Sequence, residues 1–312
     1  MVTNALAETQ IQTQSQTQAE AQNETCCAAE DLARSLADDT SLLFSPPDVY
    51  LRINDLLNDD NASSDGFAQV IAHDPSLTAR LLKLVNSSYY GLPSKVDTIS
   101  RALTIVGLHE LTNLVYSICA IKSFSKVSSD ITNMNTFWRH GIYCGIAARE
   151  LAIETKCINP ERLFVGGLMH DIGSLAINRN YPEMAAQTIE ASEGSEQALT
   201  HLERDEVGFD HALLGALMFE SWHLPQATCR AIRFHHNPDD ASEAAHEAGI
   251  IHLADALANA SGTGSFSETI AAAVDCTSNV LTPFGITADY DFSQLLETVD
   301  QKFIETVYLL VA

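Results

Sequence analysis

The chain has 312 residues, of which 46% are hydrophobic, and its formal net charge at pH 7 is −24 because 41 Asp and Glu residues outnumber 17 Lys and Arg residues. This length allows two domains, or one large domain with a tail, and this apolar fraction is typical of a globular protein with a hydrophobic core. The acidic balance argues against binding to nucleic acid or to an anionic membrane, because phosphate groups need compensating cations.

Neither a membrane-spanning segment nor a secretory signal is predicted. No stretch approaches the ~18 consecutive apolar residues of a membrane helix. The N-terminus has no basic region followed by an apolar one, as a signal peptide would have. Seven cysteines are scattered without CxxC spacing, a pattern typical of free thiols in a reducing compartment. We therefore expect a cytoplasmic protein.

The composition divides the chain into a tail, a domain and an extension. Residues 1–27 are rich in Gln, Thr and Ala and contain no Lys or Arg, so we expect a disordered tail there. We predict one helical domain at 40–260, with a first half at 40–125 and a second half at 135–260, separated by a polar segment. Residues 261–312 are predicted to form a helical extension.

Apolar side chains recur at helical spacing along most of the chain, so we predict an all-α protein made of two packed helical halves. The clearest helix start is Asp74-Pro75, a good N-cap residue followed by proline at the first helical position. In the first half, predicted helices begin near Ala28, Asp48, Pro75, Thr98 and Leu108. In the second half and the extension, predicted helices span 135–155, 160–177, 182–192, 210–221, 225–236, 243–260, 266–280 and 292–311.

Histidines and aspartates recur among apolar residues in the second half. Any one of them is most simply explained as a satisfied core residue, but the ordered series is better explained as a metal site. Imidazole nitrogen and carboxylate oxygen suit Fe, Mn, Zn, Ni or Co rather than Ca or Mg, and metal sites in helical bundles draw ligands from several helices. The candidate ligands are His140, His170, Asp171, His211, His235, His236 and Asp255.

Two motifs resemble a known family. The run HDPSLTARLLKLVNSSYYGLPSKVDTISRALTIVGLHELTNLV, residues 73–115, closely resembles the signature of HDOD domains, the HD-related output domains of bacterial signalling. The motif MHDIG, with His140 before it and Asp255 after it, resembles the HD superfamily of metal-dependent phosphohydrolases. The resemblance extends from about Pro46 to about Ala260.

The resemblance assigns the candidate ligands to two metal positions. The first metal of an HD domain corresponds here to His140, His170, Asp171 and Asp255. The second metal of a related HD-GYP domain corresponds to His211, His235 and His236, with Asp171 as the bridging residue. The resemblance thus implies one or two divalent transition-metal ions, Fe or Mn, with Zn or Ni as alternatives.

Two departures from the HD-GYP pattern bear on function. Ser174 stands where HD-GYP domains typically have a lysine after HDIG, and HHNPDDAS replaces the GYP segment after the double histidine. A serine cannot supply the cation that would neutralise a phosphoryl group. HDOD domains are regarded as non-catalytic, so we predict a bacterial signal-transduction module that acts through contacts with a protein partner, with a nucleotide as a further candidate ligand.

The alternative hypothesis is an enzyme. The completeness of the ligand set favours a metal-dependent phosphohydrolase or phosphodiesterase acting on a nucleotide or a cyclic dinucleotide. Asp171 would then bridge two ions about 3.5–4 Å apart, which would generate a hydroxide and polarise the phosphate. The sequence leaves both hypotheses open and predicts no oligomeric state.

One stretch of the first half is locally basic. It contains Arg80, Lys83, Lys95 and Arg101 with two tyrosines between them, and its helix-turn-helix rhythm is compatible with nucleic-acid binding. These few cations are outweighed by the negative field of the chain, so we interpret the stretch as ordinary core and surface. We predict no nucleic-acid partner and no membrane partner.

Overall fold

The fold is described from a computed structural model of the chain. The structure describes residues 28–40, 47–59, 61–124, 131–263, 279–287 and 289–311. Within these ranges every regular element is a helix, which confirms the prediction of an all-α fold. The predicted tail at 1–27, and all but the end of the predicted helix at 266–280, lie outside the described residues.

The helices follow one another with short connections. Those of the first half are α1 (28–40), α2 (Asp48–Leu57), α3 (Ser64–Ala72), α4 (Pro75–Val85), α5 (Ile99–Val106) and α6 (Leu108–Phe124). The next group comprises α7 (Met134–Glu154), α8 (Pro160–Met169), α9 (Ile172–Asn180), α10 (Pro182–Ala191), α11 (Glu196–Val207) and α12 (His211–Ser221). The last group comprises α13 (Gln226–Arg233), a 3₁₀ segment (Pro238–Ala244), α14 (Ala245–Ala260), a second 3₁₀ segment (Asn279–Phe284) and α15 (Ser293–Val311).

The start of α4 follows the predicted pattern. The Asp74 carboxylate accepts hydrogen bonds from the backbone N–H groups of Ser76 and Leu77, at 2.9 and 3.0 Å. Pro75 occupies the first turn, where its missing N–H costs no helical hydrogen bond. The helix then buries the predicted apolar stripe of Leu77, Leu81, Leu84 and Val85. The cap and the stripe together fix the start of α4 and the face that it packs against the core.

The sequence after α4 joins the two halves of the protein. The Asn86 side-chain amide donates to the backbone carbonyls of Leu82 and Val96, at 2.6 and 2.7 Å, and its oxygen accepts from the Val96 N–H at 2.7 Å. This closes the loop that contains Tyr89. The Tyr89 hydroxyl donates to Glu161 in α8 at 2.7 Å, so this part of the signature sequence ties the first half to the second.

The predicted helix at 160–177 is interrupted in the structure. α8 ends at Met169 and α9 begins at Ile172, so His170 and Asp171 occupy the turn between two helices. Both side chains are buried. The prediction of a single long helix was therefore wrong. The apolar periodicity continues across a turn that brings this polar pair into the interior.

Two helices, α3 and α11, are absent from the sequence-based prediction. α3 is capped by the Ser63 hydroxyl, which accepts from the backbone N–H of Gly66 at 3.2 Å, but the glycine in its first turn weakens the helical signal. α11 is capped by Ser195 and is mostly polar, and only a narrow face that includes Leu199 and Glu203 is buried. Apolar periodicity is too weak to reveal a helix that buries so little apolar surface.

A hydrophobic core runs through both halves, and α7 lies within it. This helix packs against α8, α14 and α15. The Phe303 ring of α15 lies edge-on to Tyr143 of α7, with ring centroids 5.1 Å apart, and the Tyr143 hydroxyl donates to Asp300 at 3.0 Å. The C-terminal helix thereby covers the helix that carries His140.

Among the described residues, no single helix is both long and apolar enough to cross a membrane. The pair α5 and α6 reaches the required length and apolarity only when the two helices are taken together, and they meet at a bend of 119°. Much of α6 is buried in the core, which accounts for its apolar character.

Candidate metal centre

The structure brings all the predicted ligand residues into one cluster. α7 contributes His140, the turn between α8 and α9 contributes His170 and Asp171, and α14 contributes Asp255. His211 is the first residue of α12, and His235 and His236 follow the end of α13. All of these side chains are buried except that of His236, which is half-buried.

One group of donor atoms forms between α7, α14 and the turn after α8. The Nε2 atom of His140 lies 3.4 Å from Nε2 of His170 and 3.2 Å from Oδ1 of Asp255. The same aspartate oxygen lies 3.8 Å from Nε2 of His170. Three donor atoms from three elements thus converge on one point, as ligands around a single ion do.

A second group of donor atoms belongs to the three remaining histidines. Nε2 of His211 lies 2.9 Å from Nε2 of His236, and one ring nitrogen from each of His211, His235 and His236 lies within 4.8 Å of the others. Asp171 lies between the two groups, with Oδ1 3.1 Å from Nε2 of His170 and 3.4 Å from Nε2 of His211. The cluster can therefore accommodate two ions, with one carboxylate in contact with both groups.

The far sides of the histidine rings are held by hydrogen bonds that fix their orientation. Nδ1 of His170 lies 2.7 Å from the backbone carbonyl oxygen of Gly167, and Nδ1 of His235 lies 2.7 Å from that of Ile232. A carbonyl can only accept, so each Nδ1 carries the proton and each Nε2 presents its lone pair to the cluster. This is the tautomer that a metal-ligating histidine needs.

The other two deeply buried rings are oriented by groups distant in sequence. Nδ1 of His211 lies 2.7 Å from Oε2 of Glu203, which also accepts from the His211 backbone N–H at 3.0 Å. Nδ1 of His140 hydrogen-bonds to the backbone carbonyl of Thr263, just after α14. A carboxylate or carbonyl behind the ring is the usual partner of a metal-binding histidine, because it fixes the tautomer and raises ligand basicity.

His235 provides a direct test of whether the cluster fits a metal. Burial, followed by the nearby His170 and His211, lowers the pKa of His235 to about 3, so this ring is neutral at physiological pH. In the described part of the chain its Nε2 atom is buried without a hydrogen-bond partner. An unsatisfied buried lone pair is costly, and a metal ion would satisfy it. The nitrogen and oxygen donors therefore fit a divalent transition metal.

Three further residues at the cluster are not among the predicted ligands. Cys144 lies one turn after His140 in α7, and its Sγ atom lies 3.4 Å from Nε2 of His140; the spacing of four residues could have revealed it. Glu203 supports His211 from eight residues away, a spacing without a recognisable pattern. Glu196 has a buried Oε2 atom, and burial together with Asp171 and Asp255 raises its pKa to about 8. Its role is visible only in the folded chain.

Comparison with known proteins places the sequence in a family. The profile of the HDOD domain family matches residues 43–238. A protein of Treponema pallidum (strain Nichols), described only as uncharacterized, is 30% identical over 218 residues, which are 68% of this chain and 41% of that protein. The chain therefore spans less than half the length of this relative.

Solved structures share the fold. An HDOD domain protein of unknown function from Geobacter sulfurreducens has a TM-score of 0.69 at 23% identity, covering 90% of this chain and 97% of that one. A candidate signal transduction protein from Marinobacter aquaeolei VT8 has a TM-score of 0.69 at 19% identity, covering 92% and 66%. A candidate metal-dependent phosphohydrolase from Shewanella amazonensis SB2B has a TM-score of 0.61 at 20% identity, covering 90% and 99%. At these identities the likeness concerns the fold alone, whereas the profile match covers more than half of the sequence, so the chain belongs to the HDOD domain family.

Proposed function

We propose that this protein is an HDOD-type signalling module whose His/Asp cluster binds a divalent transition metal and thereby fixes the packing of its second half. The observation that carries the proposal is the cluster itself, in which buried histidines are held from behind and present their Nε2 atoms to one another. The residues that would hold the metal are His140, His170, Asp171, His211, His235, His236 and Asp255. Bound there, the metal would supply positive charge and coordination bonds to these buried donors.

The ligand residues connect elements that are far apart in the sequence. His140 is on α7, His211 begins α12 and Asp255 is on α14, while Asp171 contacts His170 and His211. These side chains therefore join four regions of the fold at one point. Metal binding to such a site contributes directly to folding free energy, so metal occupancy would set how firmly the second half is held. A protein partner would sense this change in the packing of the second half.

The burial of the cluster favours a signalling role over hydrolysis. A catalytic metal keeps one coordination position open for water or substrate, whereas here only His236 among the candidate ligands is half-buried rather than buried. Ser174 lies at the start of α9 and is also buried, and in the described residues its hydroxyl has no hydrogen-bond partner. No lysine is present at this position to neutralise a phosphoryl group.

A second candidate function is metal-dependent phosphohydrolysis, acting on a nucleotide or a cyclic dinucleotide. One observation favours it: the Asp171 carboxylate lies between the two donor groups, as a bridging ligand would in a two-metal hydrolase. The likeness in fold to a candidate metal-dependent phosphohydrolase is compatible with this alternative. In that case His236, at the least buried edge of the cluster, would lie nearest to an entering substrate.

Thermal unfolding before and after chelation tests the proposed role. We expect the melting temperature of the wild-type protein to fall when metal is removed and to recover when a divalent transition metal is returned. A His170→Ala/Asp171→Ala variant should show no such response. If the melting temperature of the wild-type protein does not change on chelation, the proposed structural role of the metal is contradicted.

The enzymatic alternative has its own test. Wild-type protein loaded with Fe²⁺ or Mn²⁺ is incubated with bis(p-nitrophenyl) phosphate and with common nucleotides and cyclic dinucleotides. Turnover that is lost in the same double variant would favour the hydrolase. If the metal-loaded protein cleaves none of these substrates, the hydrolase alternative is contradicted and the signalling function is the one that remains.

A further inference from the structure

We infer that Cys144 is a thiolate ligand of the subsite formed by His140, His170 and Asp255, and that this subsite consequently takes Zn²⁺, Fe²⁺ or Co²⁺ in preference to Mn²⁺. The inference rests on the proposed metal binding and deepens it. It adds a sulfur donor that neither the His/Asp pattern of the sequence nor the resemblance to HD domains supplies.

The position of Cys144 follows from the geometry of α7. Residues four apart in a helix lie on the same face, one turn apart, so Cys144 faces the cluster because His140 does. Its Sγ atom lies 3.4 Å from Nε2 of His140. One donor atom from each of Cys144, His140, His170 and Asp255 lies within 4.8 Å of the others. Three elements thus bring four donors, including the sulfur, to one point.

The surroundings of Cys144 differ from those of another buried thiol in the fold. Cys229 in α13 is also fully buried, and its Sγ donates to the backbone carbonyl of Leu224 at 3.8 Å, which is ordinary core packing. The sulfur of Cys144 instead faces an imidazole nitrogen within a group of potential ligands. A thiol that coordinates a metal cation is deprotonated, and its proton leaves as the metal binds.

A sulfur ligand changes which metal the subsite prefers. Thiolate is a soft ligand and favours zinc and iron, whereas carboxylate-rich sites suit Mn²⁺ and Mg²⁺. One cysteine, two histidines and one aspartate also supply four protein donors, the number found in closed structural zinc sites. The other subsite, made of three histidines, has no sulfur donor within the described residues. The two subsites therefore differ in donor chemistry, and only the one that contains Cys144 offers a sulfur ligand among the described residues.

Cobalt substitution tests this inference with a readout that does not depend on activity. Metal-free protein is titrated with Co²⁺ alone, and two signals are recorded: the number of ions bound per chain and the thiolate-to-cobalt charge-transfer absorption in the near ultraviolet. The reference protein carries Cys26→Ser and Cys27→Ser, which remove the adjacent cysteine pair near the N-terminus, and the other variants are made in this background. Cys144→Ser is compared with Cys157→Ser, which makes the same substitution at a half-buried thiol outside the cluster.

We expect the charge-transfer band in the reference protein and in Cys157→Ser, and its loss in Cys144→Ser. We also expect Cys144→Ser to reduce the preference for Zn²⁺ over Mn²⁺ by at least tenfold in competition titrations. Cobalt binding without a charge-transfer band in the reference protein would overturn the inference and leave the proposed metal centre intact. Persistence of the band in Cys144→Ser would likewise overturn the inference and leave the proposed metal centre intact. Failure of the reference protein to bind cobalt would overturn both the inference and the proposed function, and this result does not depend on the folding of Cys144→Ser or Cys157→Ser.

Discussion

The carboxylate of Asp171 lies between His170 and His211, with Oδ1 3.1 Å from Nε2 of the first and 3.4 Å from Nε2 of the second. Burial alone would raise the pKa of Asp171, but the facing rings of His170 and His211, the second also through a hydrogen bond, hold it well below its usual range. The carboxylate is therefore ionised in the folded protein. One charged side chain in the turn between α8 and α9 connects both donor groups of the cluster.

Glu203 is expected to support metal binding through His211. Its Oε2 atom lies 2.7 Å from the ring Nδ1, and loss of such a partner typically lowers metal affinity by about 10–100-fold. Glu203→Ala should show this loss in titrations with Zn²⁺, and Glu203→Gln should retain part of the affinity because its amide oxygen can still accept the hydrogen bond. Glu206→Ala, on the exposed side of the same helix, is the matched control. Equal affinity in Glu203→Ala and Glu206→Ala would contradict the supporting role.

Gly173 is required by the close approach of α9 to α12. A Cβ atom at this position would lie 2.1 Å from the backbone oxygen of His211 and 2.7 Å from the backbone nitrogen of Gly215. Neither atom can move independently of its helix, so Gly173→Ala should destabilise the protein by about 3 kcal/mol or more. Denaturant unfolding measures the effect.

The control for this substitution is Gly66→Ala in α3. There a Cβ atom would meet only side-chain atoms, at 3.7 and 3.9 Å. Alanine is favoured over glycine inside a helix by roughly 0.5–1 kcal/mol, so this variant should be slightly more stable than the wild type. Similar losses of stability at both positions would show that the contact with α12 does not explain the glycine in MHDIG.

The adjacent tyrosines of the signature sequence should respond differently to loss of the hydroxyl. The Tyr89 hydroxyl donates to Oε2 of Glu161 at 2.7 Å, and Nε of Arg149 donates to Oε1 of the same carboxylate at 2.5 Å. Tyr89→Phe leaves a buried charged acceptor with one partner fewer and should cost about 1.5–3 kcal/mol.

Tyr90 is the matched control for that substitution. In the described part of the chain its hydroxyl is buried without a hydrogen-bond partner, so Tyr90→Phe removes an unsatisfied group and should be neutral or stabilising. Urea unfolding of both variants gives the comparison. If Tyr90→Phe proves the more costly substitution, the bond between Tyr89 and Glu161 is not what joins the halves.

Glu196 should make the stability of the metal-free protein depend on pH. Burial, together with the charges of Asp171 and Asp255, raises the pKa of Glu196 from an ordinary value of 4.5 to about 8. Between these two pH values the folded state keeps a proton that the unfolded state releases. Stability therefore falls as pH rises across this interval, by up to about 1.4 kcal/mol per pH unit.

The variant that tests this effect is Glu196→Gln. It should be more stable than metal-free wild type at pH 8 and indistinguishable from it near pH 4.5, because glutamine mimics the protonated acid. Glu190→Gln, an exposed position on α10, should leave the profile unchanged. A stability difference between Glu196→Gln and wild type that is the same at both pH values would rule out titration of Glu196 as the cause.

Much of the helical framework could be predicted because its signals are local. Asp74 and Pro75 mark the start of α4 in the sequence alone, and the structure shows the expected cap. α11 was missed because it is mostly polar and only Leu199, Thr200 and Glu203 are buried. The break between α8 and α9 was missed because apolar residues continue on both sides of it. After the break α9 packs against α12, a contact that residue spacing does not reveal.

The residue types of the candidate site could be predicted, but their supporting contacts could not. The seven candidate ligands lie in one cluster, in keeping with their ordered series in the sequence. The hydrogen bond behind His140 comes from Thr263, 123 residues away, and such a pair has no signature in a single sequence. Cys144 is different, because its spacing from His140 was readable and only its residue type lay outside the His/Asp pattern.

The proposed metal centre is tested most directly by the metal content of the wild-type protein, purified without chelators and measured by mass spectrometry beside the His170→Ala/Asp171→Ala variant. We expect one to two transition-metal ions per wild-type chain and a loss of metal in the variant. Circular dichroism of the variant should confirm that it remains helical. Wild-type protein that contains no transition metal, and acquires none when Zn²⁺, Fe²⁺ or Mn²⁺ is supplied, would contradict the metal centre and leave these histidines and aspartates as hydrogen-bonded core residues.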